Sequence, residues 1–341
     1  MYVCYAADNN FSMLTGVSML SVLQSTRERP ICFFVLDGGI TPENRDTLQR
    51  IADRGGAQIG FIDIDRQMQQ IRAIGQKAWG DFPSHVTWAR LFLPELLPPE
   101  VDRVLYLDGD TLAAGDLSEL YHIDLDGNII AAVEDCVNAQ YKANLGLQKQ
   151  ARYVNAGMIL FDLDAWRNSG QRNWITDLMQ PGKVYEMADQ DVLNLMFLNQ
   201  IRFLPLKYNC STWFRVLYLG GLRLLLEDRK MTAFSAAEVH LCETEKVIVH
   251  YNSCRLIVRP WYRNSTDPDG KLWQQIYAQS PWAQCPLAEE PVCLSRGERR
   301  DRRLYQMFGK TWYPLVHAVD YQLRKKVQTL LKKLLKGKKT P

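Results

Sequence analysis

Asp108 and Asp110 are the residues of this chain best placed to do chemistry: they close the apolar run of VDRVLYLDGDTL (101–112) and stand at i and i+2. In an extended segment both side chains project to one side, and Gly109 between them lets the backbone turn without a Cβ in the way. Two hard oxygen donors so spaced form a site for a divalent cation, with coordination positions left for a diphosphate. His250, near the end of VIVHY, offers a third donor. Alone beside Tyr251 it would read as a satisfied core histidine. With the acid pair it completes a carboxylate and imidazole set, which suits Mn²⁺ better than Mg²⁺, although Mg²⁺ also binds such oxygens. Arg90 lies in VTWARLFLPEL among Trp88, Leu91, Phe92 and Leu93. A guanidinium in such company needs an anion, either an interior aspartate or a group of a ligand site such as a metal-bound carboxylate, a phosphate or a sugar hydroxyl.

These residues need a scaffold, and the first half of the chain alternates between strand-like and helix-like segments. YVCYAA (2–7), ICFFVLD (31–37) and AQIGFID (57–63) read as strands, with helices expected over 12–25 and, opened by Pro42, over 42–53. A helix over 86–97 is expected to carry Arg90 ahead of the strand that delivers Asp108. IIAAVED (129–135), AGMILFD (156–162), IRFLPL (201–206) and KVIVHY (246–251) supply further strands, interleaved with polar helices around Trp166 and Trp174 and a helix at ADQDVLNLMFL (188–198). The alternation predicts an α/β fold, Rossmann-like, with a mixed but mostly parallel sheet whose ligands bind beyond the carboxyl ends of its strands. The pattern thins after Pro260, which places a catalytic domain at 1–261 and a small, mainly helical region at 262–341. LDGDTL also admits a second chemistry: a hydrophobic strand followed by DxDxT resembles haloacid-dehalogenase-like phosphatases, with Asp108 as phosphoryl-accepting nucleophile. Against this, three strands precede the motif here, and DQD (189–191) begins a helix without the Gly-Asp context such an enzyme uses for its metal.

The length of 341 residues and a composition 47% hydrophobic and 11% aromatic support a sizeable core. The eight cysteines show no CxxC spacing and several sit in apolar runs, the pattern of reduced core thiols. MYVCYAAD lacks the basic and long apolar parts of a signal peptide, and no run approaches the roughly 18 apolar residues of a membrane span, so a cytoplasmic protein is expected. The formal charge of +3 is unevenly spread: residues 324–341 hold eight cations and no acid, leaving −5 for residues 1–323. That asymmetry argues against nucleic acid as a partner and for a local anionic contact. Val316, Val319, Leu323, Val327, Leu330, Leu331, Leu334 and Leu335 recur every three or four residues there. They predict a basic amphipathic helix over about 316–336 that rests on the inner face of an anionic membrane, each cation adding roughly 1 kcal/mol of attraction. Arg299, Arg300, Arg302, Arg303, Trp312 and Tyr313 extend that surface. The plainer outcome is a terminal helix docked on its own domain with its lysines in water.

Several motifs, in order, converge on one family. AADNNF (6–11), the arginine segment 86–93, LYLDGDTL, YVNAGMILFDL (153–163), DQDVLN (189–194) and HY followed by RPW (259–261) together resemble glycosyltransferase family 8, most of all bacterial lipopolysaccharide galactosyl- and glucosyltransferases. The resemblance implies a GT-A fold and a retaining enzyme that uses Mn²⁺ and a UDP-sugar, UDP-galactose or UDP-glucose, with a glycan or glycolipid acceptor. It makes Ala7, Asp8 and Asn10 the uridine contacts and Asp108, Asp110 and His250 the metal ligands. It sets Arg90, Asp135, Asn155, Ala156, Gly157, Asp189 and Gln190 around the donor sugar. The family's back-face position falls on Gln190, a poor nucleophile, which favours a front-face, oxocarbenium-like path with Asp189 orienting the sugar and Asp191 as the fallback covalent residue. One stretch departs from the pattern: the family often closes with His-Tyr-x-Gly and a Lys-Pro-Trp three residues on, whereas HYNSCRLIVRPW has Ser253 for Gly and three additional residues before Arg259. Arg255 or Arg259 then supplies the cation for the diphosphate.

Overall fold

The computed structural model describes residues 1–74, 86–170, 178, 184–228, 231–291 and 294–337, with the backbone course alone for 72–74, 321–322 and 324–337. The helix expected around Trp174 lies outside the described residues. Strands β1 (Tyr2–Ala7), β2 (Cys32–Asp37), β3 (Gln58–Asp63), β4 (Arg103–Leu107), β6 (Ile130–Glu134), β7 (Val154–Asp162) and β8 (Ile201–Leu204) form one seven-stranded sheet in the order β3-β2-β1-β4-β7-β6-β8. The sheet is mixed and mostly parallel, as the alternation of the sequence predicts. Pairs β1–β2, β2–β3, β1–β4 and β6–β8 are parallel, and only β7 runs against its neighbours β4 and β6.

The reversal at β7 decides where the site forms. Because β4 and β7 are antiparallel, the carboxyl end of one meets the amino end of the other, and the Asp108 amide donates to the Gly157 carbonyl at 2.9 Å. Asn155, Ala156 and Gly157 lie within β7, two residues inside a strand that starts earlier than its apolar pattern indicates. A second sheet, absent from the sequence analysis, joins β5 (Thr111–Ala113), β10 (Ile248–His250) and β9 (Cys210–Ser211). The three strands are three, three and two residues long, and β5 and β9 are too short for any periodicity to show. Register pairs His250 with Thr111, and the Tyr251 amide donates to the Asp110 carbonyl at 2.9 Å.

Side chains alternate across the strands and build a core on each face. Val3, Tyr5 and Ala7 of β1 pack toward α1 (Ser12–Ser25) and α2 (Pro42–Arg54), while Cys4 and Ala6 face Trp88, Leu91, Val192 and Leu193. The Arg90 segment and the helix Asp189–Met196 thus share the second face. The continuous helix expected over 86–97 is instead a 3-10 run, Val86–Phe92, followed by one α turn, Leu93–Leu96. Pro94 explains the change: it has no N–H to return to the Arg90 carbonyl, and its ring crowds that oxygen in an α-helix.

Beyond residue 261 the chain packs back on this body. Trp273 and Tyr277 of the helix Gly270–Tyr277 join Trp261, Leu14 and Val17 in a third apolar cluster. Arg215, buried, reaches Asp267 at 2.7 Å and Asp269 at 3.0 Å. The last element, Arg296–Gly337, is two helical segments joined at Gly309, which takes a φ of 61° that a residue with a Cβ adopts only under strain. Tyr313 is buried in the core, and Pro314 approaches Gly221 so closely that a Cβ there would lie 2.6 Å from its ring. Trp312, Leu315, Val319 and Leu323, by contrast, are each more than half exposed. The tail side chains beyond Leu323 lie outside the described residues. Among the described residues no helix is long and apolar enough to cross a membrane, and all seven cysteines are free thiols.

Candidate functional site

The carboxyl edge of the main sheet opens into a cleft of ≈ 260 Å³ whose lining includes Asp8, Thr87, Arg90, Asp108, Asp110, Ala156, Asp189 and Gln190. Asp108 and Asp110 line it, and with the buried His250 behind them they each offer one donor atom, all within 4.8 Å of one another. The DGD turn delivers the two acids and β10 delivers the imidazole; Nε2 of His250 lies 3.3 Å from Asp110 Oδ1. Two carboxylates and an imidazole at this spacing fit a divalent cation, with the cleft side open to further oxygen ligands. Gly157 forms the wall behind the ring: a Cβ there would sit 2.1 Å from His250 Cε1. The glycine of Asn-Ala-Gly is therefore required by close packing of the imidazole.

Burial raises Asp108 more than Arg90 lowers it, with Asp110 adding to the rise. For Asp110 burial also pushes upward, but the charge and hydrogen bond of His250 outweigh it and the carboxyl ends below its usual range. His250 is depressed by burial and lifted further by Asp110, ending above its ordinary value of 6.5.

Arg90 is 2% exposed and joins the two halves of the cleft. Its Nη2 donates to Asp108 Oδ1 at 2.8 Å, its Nη1 to the Ala156 carbonyl at 2.5 Å and its Nε to the Thr87 carbonyl at 2.9 Å. Nε also lies 2.8 Å from Asp189 Oδ2, an ionic contact without an aligned hydrogen bond, and that oxygen has no other donor among the described residues. Asp189 Oδ1 accepts from the Thr87 hydroxyl at 2.9 Å. Both kinds of partner foreseen for Arg90, an interior acid and a metal-site carboxylate, are thus present together.

Ala156 and Gln190 line the cleft, and Asp135 and Asn155 support them from behind. Asp135 Oδ2 accepts from Asn155 at 3.0 Å and from Gln190 at 3.1 Å, while Gln190 Oε1 accepts from the Ala156 amide at 2.9 Å. Ala188, just before, holds φ 53° and ψ −129°, a strained conformation for a residue with a Cβ, and it too lines the cleft. Asp191 does not join them. Its carboxylate, fully buried, accepts from Tyr153 at 2.5 Å, from Tyr141 at 2.7 Å and from the Met187 amide at 2.9 Å. It is outside the cleft lining and anchors the loop that presents Asp189 and Gln190.

At the other end Asp8 caps a short 3-10 turn, its Oδ1 accepting from the Asn10 and Phe11 amides at 2.9 and 3.1 Å, and it lines the cleft together with Phe11. Ala7 is buried, its carbonyl taken by the Gly38 amide, and Asn10 is exposed at the rim. Arg259 stacks on Trp261 at 4.7 Å and its charge helps to lower Asp110, whereas Arg255 pairs with Glu298 at 3.6 Å. Thr87, Phe11, Ala188 and Asn209 were not singled out from the sequence. Thr87 sits one turn ahead of Arg90 and could have been found from that spacing; nothing local marks the others.

An acidic cation set facing a wall of amides, at the carboxyl edge of an α/β sheet, defines a cleft for a polar, anionic ligand. The chain belongs to glycosyl transferase family 8, whose family model matches residues 2–265. It is 27% identical over 284 residues to the lipopolysaccharide 1,2-glucosyltransferase of Escherichia coli, covering 82% of this chain and 78% of that protein. Over 294 residues it is 27% identical to the lipopolysaccharide 1,3-galactosyltransferase of Salmonella typhimurium, covering 84% and 80% of the two chains. The crystal structure of the galactosyltransferase LgtC with donor and acceptor sugar analogs superposes with a TM-score of 0.63 at 26% identity, covering 83% of this chain and 99% of that one. The fold is thus GT-A, and the phosphatase alternative falls away, with the Asp108 carboxylate held by Arg90 and by the Tyr106 hydroxyl.

Two outcomes follow from this geometry. Gly157→Ala displaces the His250 ring and should weaken Mn²⁺ binding by about 10–100-fold in a folded protein; paramagnetic resonance of free Mn²⁺ measures it, and wild-type affinity would show that the ring can move aside. Because His250 is lifted above 6.5, its proton stabilises the metal-free protein fully below about that pH and the contribution is lost as pH rises through the raised value. The same proton competes with a cation, so Mn²⁺ affinity should climb through this window by up to about tenfold per pH unit. Equal affinities at about pH 6 and pH 8 would remove His250 from the ligand set.

Proposed function

We propose that the chain is a retaining hexosyltransferase that moves galactose or glucose from its UDP-sugar to a glycan acceptor, lipopolysaccharide or another cell-surface glycolipid. The observation that carries this is Arg90, bonded on one side to the cation acid Asp108 and on the other in contact with Asp189 at the sugar wall. A cation for a diphosphate and a carboxylate for a hexose are thereby held a side chain's width apart in one cleft. The relatives' names, a glucosyltransferase and a galactosyltransferase acting on lipopolysaccharide, support the donor and acceptor classes.

In this mechanism Asp8 and the backbone around Ala7 and Asn10 receive the uridine, and Arg259 adds a cation beside the diphosphate. Mn²⁺, or Mg²⁺ in its place, held by Asp108, Asp110 and His250, would offset charge on the departing UDP. Asp189, which lines the cleft and is held by Arg90 and the Thr87 hydroxyl, orients the sugar. Asp135, Asn155, Ala156, Gly157 and Gln190 fix the remaining hydroxyls, the kind of polar cluster that discriminates epimers. Gln190 on the far side of the sugar is held by Ala156 and Asp135 and is a neutral amide. The acceptor hydroxyl therefore adds on the face UDP leaves: the bond from C1 to the phosphate oxygen breaks, the bond to the acceptor oxygen forms as its proton passes to the departing diphosphate oxygen, and configuration is retained. The exposed apolar residues of the last helix and the eight cations after residue 323 seat the enzyme on an anionic membrane surface where a lipid-borne acceptor is met.

A panel of UDP-sugars with Mn²⁺ should release UDP from UDP-galactose or UDP-glucose, and Asp110→Ala should lower the rate by about 10³-fold. Undiminished turnover in that variant would sink the mechanism. Truncation after residue 315 should abolish sedimentation with anionic vesicles while UDP-sugar binding survives; unchanged sedimentation would return the tail to a helix with a solvated face.

A further inference from the structure

Asn209 is 1% exposed and lies between the 3-10 turn Leu206–Tyr208 and β9, outside the cleft lining. Its Oδ1 is 3.1 Å from His250 Nδ1 and its Nδ2 is 2.9 Å from Asn155 Oδ1. Side-chain amides and imidazoles do not declare their donors and acceptors by shape, but here the main chain does. The Gly157 amide, which can only donate, points at Asn155 Oδ1 at 2.9 Å, so that atom is oxygen. Asn155 Nδ2 then faces the Asp135 carboxylate, as required. The Ala156 amide in the same way marks Gln190 Oε1 as oxygen and turns Gln190 Nε2 to Asp135. With Asn155 offering only an acceptor, Asn209 must donate through Nδ2 and present Oδ1 to His250. The ring therefore carries its proton on Nδ1, and when neutral it leaves a lone pair on Nε2, the nitrogen that faces Asp110.

We infer that Asn209 is a positioning residue that fixes the tautomer and rotation of His250 for the cation and links that ring, through Asn155 and Asp135, to Gln190 at the sugar wall. A histidine ligand with its second nitrogen hydrogen-bonded to an oxygen binds metal better and in one orientation. Here the oxygen belongs to an amide whose other end holds Asn155. Occupancy at the cation set and order around the hexose are therefore coupled through one buried side chain, with the direction of every bond set by two consecutive backbone amides of β7.

The inference rests on the cation-site assignment above, and its test separates the two. Asn209→Asp keeps an acceptor for Nδ1–H but offers no hydrogen to Asn155; Asn209→Leu removes both. Mn²⁺ binding by paramagnetic resonance and UDP-galactose and UDP-glucose binding by calorimetry should split. The aspartate variant should hold Mn²⁺ within about threefold of wild type and bind the UDP-sugar about tenfold or more weakly, while the leucine variant loses Mn²⁺ affinity by about 10–100-fold. Aspartate and leucine variants that weaken Mn²⁺ equally, or an aspartate variant with wild-type UDP-sugar affinity, would overturn the inference. If the leucine variant does not fold, as judged by thermal unfolding, the aspartate variant alone decides. Asp110→Ala, run alongside, reports on the cation site itself: Mn²⁺ binding unchanged there overturns that assignment whatever Asn209 does.

Discussion

The guanidinium of Arg90 is the interaction on which the rest of the cleft depends. Asp108 and Asp189 come from segments eighty residues apart in the chain, and without a cation between them their charges would push the two walls of the cleft apart. Taking Arg90 out of water costs several kcal/mol, which two carboxylates, two carbonyls and the Tyr106 ring 4.1 Å away offset together. Removing it would leave two acids uncompensated in the same place.

The second constraint is the direction of β7. Running against β4, it brings the start of one strand beside the end of another and places three successive residues, Asn155 to Gly157, between His250 and Gln190. Each does something different there: Asn155 bridges amides, Ala156 receives Arg90 on its carbonyl and binds Gln190 through its N–H, and Gly157 makes room for His250. Opposite, the strained Ala188 is held by the hydrogen bonds that Asp191 makes to Tyr141, Tyr153 and Met187. Backbone strain at a cleft persists only where such a network over-determines it.

Much of this was legible beforehand. The apolar strand ending in Asp-Gly-Asp, the alternation that makes an α/β sheet, and the order of AADNN, NAG, DQD and HY are local patterns of period and spacing, and each survives in the structure. The failures are also physical in kind. Pro94 broke an α-helix that the apolar spacing of 86–97 favoured, and the two- and three-residue strands β9 and β5 are too short to register in any window. Asp189 and Asp191 both open the same helix, and their spacing along the chain does not say which of them faces the cleft. On a helix, however, residues two apart point about 200° apart, one to the cleft and one to the tyrosines behind it.

By itself the sequence determined the Asp-Gly-Asp pair at a strand's end, the class of fold, the family, and the segregation of positive charge into the last eighteen residues, because these are properties of composition, period and order along one chain. Only the tertiary structure decided that Arg90 joins Asp108 to Asp189, that Gly157 is required by an imidazole some ninety residues away, that Asp191 is withdrawn, and that Asn209 gives His250 its direction. The reason is common to all four: a hydrogen bond or an ion pair is defined by which atoms meet and which of them carries the proton, and those meetings are made by folding between residues whose spacing along the chain carries no sign of them.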